Sequence, residues 1–328
     1  MKSQRMFSCG LITVASTLVM VPAAAQTDPA AGYPRQPIKL LVGLVPGSIN
    51  DIQTRVIAQK LAERLGQPVV VENKVGAGGN IAAEFVARAT PDGYTLLTAP
   101  TSTLTVNPAV YAKLGYDPRK DFVPVTQIST YQLYLCVNAE LPVKSVADLA
   151  AHAKADPDKA NLGSPSTVFE LVTAVLTQRT GARFETIPFK GTNETMTALL
   201  TNQVMIAWQD YNSLNQQLKA GKIRVLATTG RKRSRDLPDV PTMAEAGFPG
   251  IELEPLTGIM APKATPMPIV RKLQTEIQAV LKAPDVVERW TSITMTPVGN
   301  TSEEFGAYIA SEIERWTEVA KAANIKLE

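Results

Sequence analysis

Five short stretches of this chain gather small residues, glycine in four of them, with hydroxyl or amide side chains at places where an apolar run gives way to helical spacing. They are PGSIND at 46–51, GAGGN at 76–80, APTST at 99–103, GSPST at 163–167 and FKGTN at 189–193. Such turns share one chemistry. A helix begins with backbone N–H groups that have no partner inside the helix and with a partial positive charge, so it can hold a carboxylate or phosphate without a lysine or arginine. In PGSIND, Gly47 permits close approach of the backbone, while Ser48 and Asn50 can cap the helix or donate to a ligand. Asp51 is read as a cap or as a group that orients water, not as a direct anion contact. The corresponding residues in the later turns are Thr101 and Ser102, then Ser164, Ser166 and Thr167, then Gly191, Thr192 and Asn193. One such turn is ordinary strand-to-helix punctuation. Several in one chain point to a cleft lined by N–H and hydroxyl groups, suited to a small organic anion.

Other chemistries lack their residues. His152 is the single histidine and lies in the polar run AHAKADPDKA, so neither a Ser-His-Asp triad nor a histidine-rich zinc site can be assembled. No catalytic residue, metal or cofactor is expected. Gly76 and Gly78 begin a GxG, but Ile81 occupies the third glycine position of GxGxxG, and no GxxxxGK[ST] occurs. Cys9 falls in the leader described next and Cys136 stands alone in YLCV, so the mature chain has no internal disulfide.

The elements that must position these turns follow an amino-terminal leader. Lys2 and Arg5 precede an apolar stretch from Gly10 to Val21, and Ala23-Ala24-Ala25 offers a signal-peptidase site, so residues 1–25 are expected to be a secretory signal. Its removal takes two positive charges, and the formal charge falls from +3 to +1, which recommends no nucleic-acid partner. The chain has 328 residues, 45% hydrophobic and 19% charged, enough for two domains with real cores. Ile38 to Val45 reads as a strand, and Ile52, Val56, Leu61 and Leu65 as a helix ended by Gly66. PVVVEN, IAAEFVARA and GYTLLTA continue as strand, helix and strand, which implies a parallel sheet covered by helices. A second α/β set runs from YQLYLCVNAE through a helix capped by Ser145, then NLGS, a helix over Val168–Gln178, ETIPF and GKIRVLATTG. LTGIMAP returns as a crossing strand before two C-terminal helices, from about Ile269 and from about Ser302. The resulting expectation is two lobes, residues 33–128 with 255–328 and residues 129–254, with ligand at the carboxyl ends of the strands.

Over nearly all of its mature length the chain also resembles a known family. YPRQPIKLLV followed by a PG loop, LAERLGQPVVVENKVGAGGNIAAEFVARATPDGYTLL, VNPAVY, GYDPRKDFVPV, IPFKG, LKAGKIRVLATTGRKRSRDLPDVPTMAEAG and APKATPMPIV resemble the Bug (TctC-like) periplasmic solute receptors of tripartite tricarboxylate transporters. The resemblance implies an α/β, two-lobed periplasmic-binding-protein (Venus flytrap) fold with two crossing strands. It implies a monomeric periplasmic receptor, not an enzyme, that takes a small organic carboxylate and hands it to a small and a large membrane subunit. An exported protein signalling to a membrane sensor kinase through the same clamp is the alternative.

Departures from the family pattern bear on the ligand. Where members commonly read PPGGGTD this chain reads VPGSIND, so Ser48 and Ile49 replace glycines and Asn50 replaces threonine. GSPSTVFE places Phe169 where the family has a longer Gly/Ser/Asn run near a histidine. Against a pattern resembling DLMFDN the chain has MIAWQDYN, with Met205 and Gln209 where acids are frequent and Trp208 and Tyr211 alongside. A shift of one residue in that alignment makes Asp210 the family acid. Trp208 and Tyr211 are open to two readings, ligand wall or core packing. Together with Lys190 as the one nearby cation, these residues favour a mono- or dicarboxylate with an apolar body over a tricarboxylate, whose charge would be left unpaired. Terephthalate is the sharpest candidate and a medium-chain aliphatic diacid the alternative.

Overall fold

The computed structural model describes residues 30–326, and the leader expected at 1–25 lies outside the described residues. In chain order the strands are β1 (Ile38–Val42), β2 (Val69–Asn73), β3 (Thr95–Pro100), β4 (Phe122–Thr130), β5 (Tyr134–Asn138), β6 (Asn161–Ser164), β7 (Glu185–Pro188), β8 (Ile206–Gln209), β9 (Ile223–Thr228), β10 (Leu256–Pro262) and β11 (Thr296–Pro297). The helices are α1 (Ile49–Leu65), α2 (Asn80–Ala87), α3 (Asn107–Val110), α4 (Val146–Ala155), α5 (Thr167–Thr180), α6 (Thr192–Leu200), α7 (Tyr211–Lys219), α8 (Met267–Leu281), α9 (Pro284–Ser292) and α10 (Ser302–Ala322). They build one sheet in the order β11-β4-β10-β3-β1-β2 and a second in the order β7-β6-β8-β5-β9.

In the first sheet β1 runs parallel to β2 and β3, while β10 is antiparallel to β3 and β4. Successive residues of a strand face opposite sides, so Leu40 and Leu96 pack with Ile57 and Leu61 of α1 and Leu273 of α8, while Leu41 and Leu97 pack with Ala82, Phe305 and Ile309 of α2 and α10. Both faces are covered, which is why IKLLV is nearly all apolar. In the second sheet β6 is parallel to β7 and β8, and β5 is antiparallel to β8 and β9. The parallel strands of each unit deliver their carboxyl ends, and the helix N-termini that follow them, to the side where the two units face each other.

Two segments join the units. The chain leaves the first sheet at Thr130 and enters the second at Tyr134, and it returns between Thr228 and Leu256. These passages are tied to each other: Tyr131 N–H donates to Pro255 O at 3.0 Å and Leu253 N–H to Thr229 O at 3.0 Å. The end of α10 adds a third link. Trp316 and Ala320 pack into the core that contains Leu162, Leu171 and Trp208, and Arg315 donates to Glu252 O at 2.6 Å.

Two local expectations change. The strand expected to reach Val45 stops at Val42, and Val45 is 57% exposed. The cause is a close backbone approach: a side chain on Gly43 would meet Gly79 Cα at 2.5 Å, so the GAGGN loop caps the strand end. The C-terminal region holds three helices instead of two, because Pro284 starts α9 after α8 has ended.

Candidate ligand-binding cleft

The first wall of the cleft is the turn between β1 and α1. Ser48 is the N-cap of α1, and its Oγ accepts from Asp51 N–H at 3.3 Å. Gly47, at φ +80, donates its N–H to Asp51 Oδ2 at 2.9 Å. Asp51 is buried and also accepts two bonds from Arg55 and one from Asn73, each at 2.9 Å. Burial would raise the Asp51 carboxyl, but the hydrogen bonds from Arg55, Gly47 and Asn73 outweigh it and hold the group below its ordinary range. Asp51 is therefore the anchor of the turn, with no oxygen left to meet a ligand. Asn50 is also buried, and its Nδ2 donates to Thr257 Oγ1 at 2.9 Å. Ile49 is partly buried against the core, so what α1 offers the cleft is the backbone N–H of Ile49 and Asn50 and the Ile49 side chain. Beside this turn, Thr101 is buried and accepts from Leu256 N–H at 2.7 Å, while Ser102, partly exposed, opens a π-type helical turn over Ser102–Val106. The GAGGN glycines serve packing: a side chain on Gly79 would strike Thr103 Oγ1 at 2.6 Å.

The second wall is different. α5 starts at Thr167 and α6 at Thr192, and neither the N-cap Ser166 nor the N-cap Gly191 closes its helix with a side-chain bond. Ser164 is buried and turned inward, donating to Ser166 O at 2.9 Å. Ser166 and Asn193 are exposed and Thr167 is partly exposed. Gly191 has an extended backbone at φ −176 that any residue could adopt, and a side chain there would meet nothing within 4 Å. Neither conformation nor packing requires a glycine at this position. Glu170, in the first turns of α5, has its carboxyl pushed up by burial, partly offset by Ser164.

The residues from MIAWQDYN divide. Trp208 is a correction: it is fully buried, its Nε1 donates to Thr173 Oγ1 at 2.8 Å, and it packs in the core under α5 and not on the cleft. Gln209, one residue on, faces the opposite side and is fully buried too. Its Nε2 donates to Thr192 O and Thr195 Oγ1, pinning the start of α6 from behind. Asp210 is the N-cap of α7 and accepts from Ser213 N–H at 3.0 Å and Ser213 Oγ at 2.7 Å. Thr192 lies beside the same Ser213 hydroxyl, 3.2 Å away. Tyr211 is partly buried and tilts against Tyr134, ring centroids 6.4 Å apart.

At the hinge the walls meet around two cavities. One, of about 110 Å³, is lined by Thr101, Ser102, Ser166, Phe169, Tyr131 and Leu256, among others. The other, of about 380 Å³, is lined by Tyr131, Tyr134, Tyr211, Arg231, Lys232 and Arg235, with Thr294 and Thr296 from the first lobe. Tyr131 and the three cations are additions to the sequence reading. Tyr131 was hidden in a crossing segment, and RKRSRD read only as a loop. Across the outer edge Asn212 of α7 donates to Ile293 O at 2.9 Å, linking the lobes directly. Among the described residues no helix is long and apolar enough to cross a membrane.

A sequence profile described as tripartite tricarboxylate transporter family receptor (TctC) matches residues 53–325. Protein BugT of Bordetella pertussis is 34% identical over 320 residues, 97% of this chain and 97% of that protein. Among solved structures, R. palustris Rpa4515 with adipate is 34% identical with a TM-score of 0.78, covering 90% of this chain and 99% of that one. MatC (Rpa3494) from Rhodopseudomonas palustris with bound malate is 31% identical with a TM-score of 0.75, covering 88% of this chain and 99% of that one.

Proposed function

The chain belongs to the tripartite tricarboxylate transporter family of receptors, and on that premise we propose that it captures a mono- or dicarboxylate with an apolar body in the periplasm and delivers it to the membrane subunits of such a transporter. It is a solute-binding receptor and not an enzyme. The observation that carries the ligand class is the open end of α6. Gly191 is needed neither for backbone conformation nor for packing, and the N–H groups behind it have no cap, which is the arrangement a carboxylate needs to come close to the backbone. The uncapped start of α5, the Ser102 and Ser166 hydroxyls and the free N–H groups of α1 supply further donors.

With Trp208 in the core, the apolar contacts available to the ligand body are Ile49, Phe169 and the ring of Tyr131. A relative solved with adipate supports a diacid with a methylene spacer. Terephthalate remains the aromatic form of the same proposal, a planar body with a carboxylate at each end. Asp210 and Glu170 on the second wall weigh against a ligand carrying close to three charges, since added negative charge would be repelled as it loses water.

Titration calorimetry with adipate, terephthalate, malate and citrate tests the reading. A negative heat-capacity change for the ligands with apolar spacers is expected, because burying the spacer removes apolar surface from water. Tighter binding of citrate than of any ligand with an apolar spacer would overturn it.

A further inference from the structure

Tyr131 belongs to both interlobe cavities and stands between two different electrical environments. On one side, the 110 Å³ cavity is lined by hydroxyl, apolar and backbone groups and by no charged side chain. On the other, the 380 Å³ cavity is lined by Arg231, Lys232 and Arg235, offset by Asp236 and Glu254. Among the described residues none of these three cations is in an ion pair; the arginine of the loop that pairs is Arg233, with Glu245 at 2.8 Å. The Tyr131 backbone is fixed by its bond to Pro255 O, and the ring is partly buried against the cores of both lobes. Its hydroxyl has no hydrogen-bond partner among the described residues, although burial and the nearby charge of Asp210 keep it protonated, hence a donor.

We propose that Tyr131 is a specificity-determining residue that divides the ligand site. One carboxylate of the ligand meets the uncapped starts of α5 and α6 from the small uncharged cavity, its apolar body lies along the Tyr131 ring, and its second carboxylate takes the Tyr131 hydroxyl bond in the wide cavity facing Arg231, Lys232 and Arg235. Among the side chains that line the wide cavity two acids stand against three cations, which admits one further negative charge, while Asp210, near the Tyr131 hydroxyl but outside that lining, opposes a second, so the site selects a diacid over both a monoacid and a triacid. This inference rests on the receptor reading above and adds which residues sense the second charge.

The test is titration of the mature chain with adipate and hexanoate, which share a six-carbon skeleton and differ in one carboxylate, and with terephthalate and benzoate as the aromatic pair. Wild type is expected to bind a diacid about tenfold more tightly than its monoacid, the scale of one hydrogen bond to a charged group. The double variant Arg231→Gln, Arg235→Gln should erase that preference by weakening the diacid alone. Tyr131→Phe keeps the ring and the fold and should narrow the preference at least about threefold, while Tyr131→Ala should weaken diacid and monoacid together. Equal affinity of wild type for both members of each pair, or a diacid preference that survives both the phenylalanine and the double glutamine variants, would overturn the assignment. Failure of wild type to bind any of the four acids would instead overturn the receptor reading beneath it.

Discussion

At the start of α1 a side-chain cap closes part of the first turn inside lobe one, whereas the starts of α5 and α6 have no side-chain cap. Ser48 and Asp51 cap and tie the turn, so that Gly47 N–H, Asp51 N–H and the Asn50 Nδ2 group all have partners within the protein. Across the cleft, Ser166 and Gly191 supply no side-chain cap. The same sequence signature, small polar residues between a strand and a helix, therefore serves two purposes. In lobe one it builds a rigid turn that offers a few fixed N–H groups, and in lobe two it leaves helix ends uncapped. A rigid wall can orient a ligand, and an open wall gains its missing bonds only when a ligand or the closing lobe supplies them.

The largest test of this contrast is Asp51→Ala. Removing a buried acceptor that gathers Gly47, Arg55 and Asn73 should destabilise the fold by about 2–3 kcal/mol, measured by urea unfolding, because the Gly47 and Asn73 donors lose a charged partner and Arg55 loses its ion pair. The pH profile carries the same information. The Asp51 carboxyl ionises more readily in the folded chain than in the unfolded one, so its contribution is complete above its ordinary value of 3.8 and is lost as pH falls through the lower folded value. Asp51→Asn should accordingly be less stable at neutral pH and show a flatter loss of stability in acid. Loss of ligand affinity without loss of stability would break the contrast, since Asp51 would then be acting on the ligand.

Gly191→Asn sharpens the comparison from the other side. Asparagine is a strong N-cap and fits the extended backbone at 191, so it would convert the open end of α6 into a closed end like that of α1. Stability should hold or rise by a few tenths of a kcal/mol. Affinity for the best carboxylate should fall about tenfold, equivalent to about 1.4 kcal/mol. Opposite signs in the two measurements are the signature of a helix end kept open for ligand, and unchanged affinity would place the anion away from α6.

Much of this contrast was within reach of the sequence, and the rest was not, for physical reasons. The strand-turn-helix order and the Ser48 cap follow from local residue types, as does the end of α1, where Gly66 at φ +65 returns its N–H to Ala62 O. Whether the Asp51 carboxylate is saturated or free for a ligand depends in part on Asn73, 22 residues away, and no local pattern carries that. Trp208 stayed open between ligand wall and core because β8 is buried on both faces, so no apolar-polar alternation marks which side residue 208 takes. Tyr131 gave no signal of its own. Its position between the cavities comes from two crossing segments, and nothing in YQLYLCVN says where the other will pass.

The smallest expected effect lies at the rim, where the two lobes touch through Asn212. Its Nδ2 donates to Ile293 O at 2.9 Å and lies 3.3 Å from Thr294 Oγ1, so one side chain of the second lobe holds the backbone of the first at the edge of the cleft. All three groups are at the surface, and water can take over each bond when the lobes part. Asn212→Ala should therefore cost no more than about 0.5–1 kcal/mol, and the cost should fall on the closed state alone. Because the bond forms between lobes and not to the ligand, its loss should accelerate ligand release a few-fold, with little change in the rate of capture or in the melting temperature of the ligand-free protein. Stopped-flow measurement of association and release would separate these. Slower capture with unchanged release would mean that Asn212 shapes the open lobe-two wall itself, and the division between a rigid wall, an open wall and a latch at the rim would have to be redrawn.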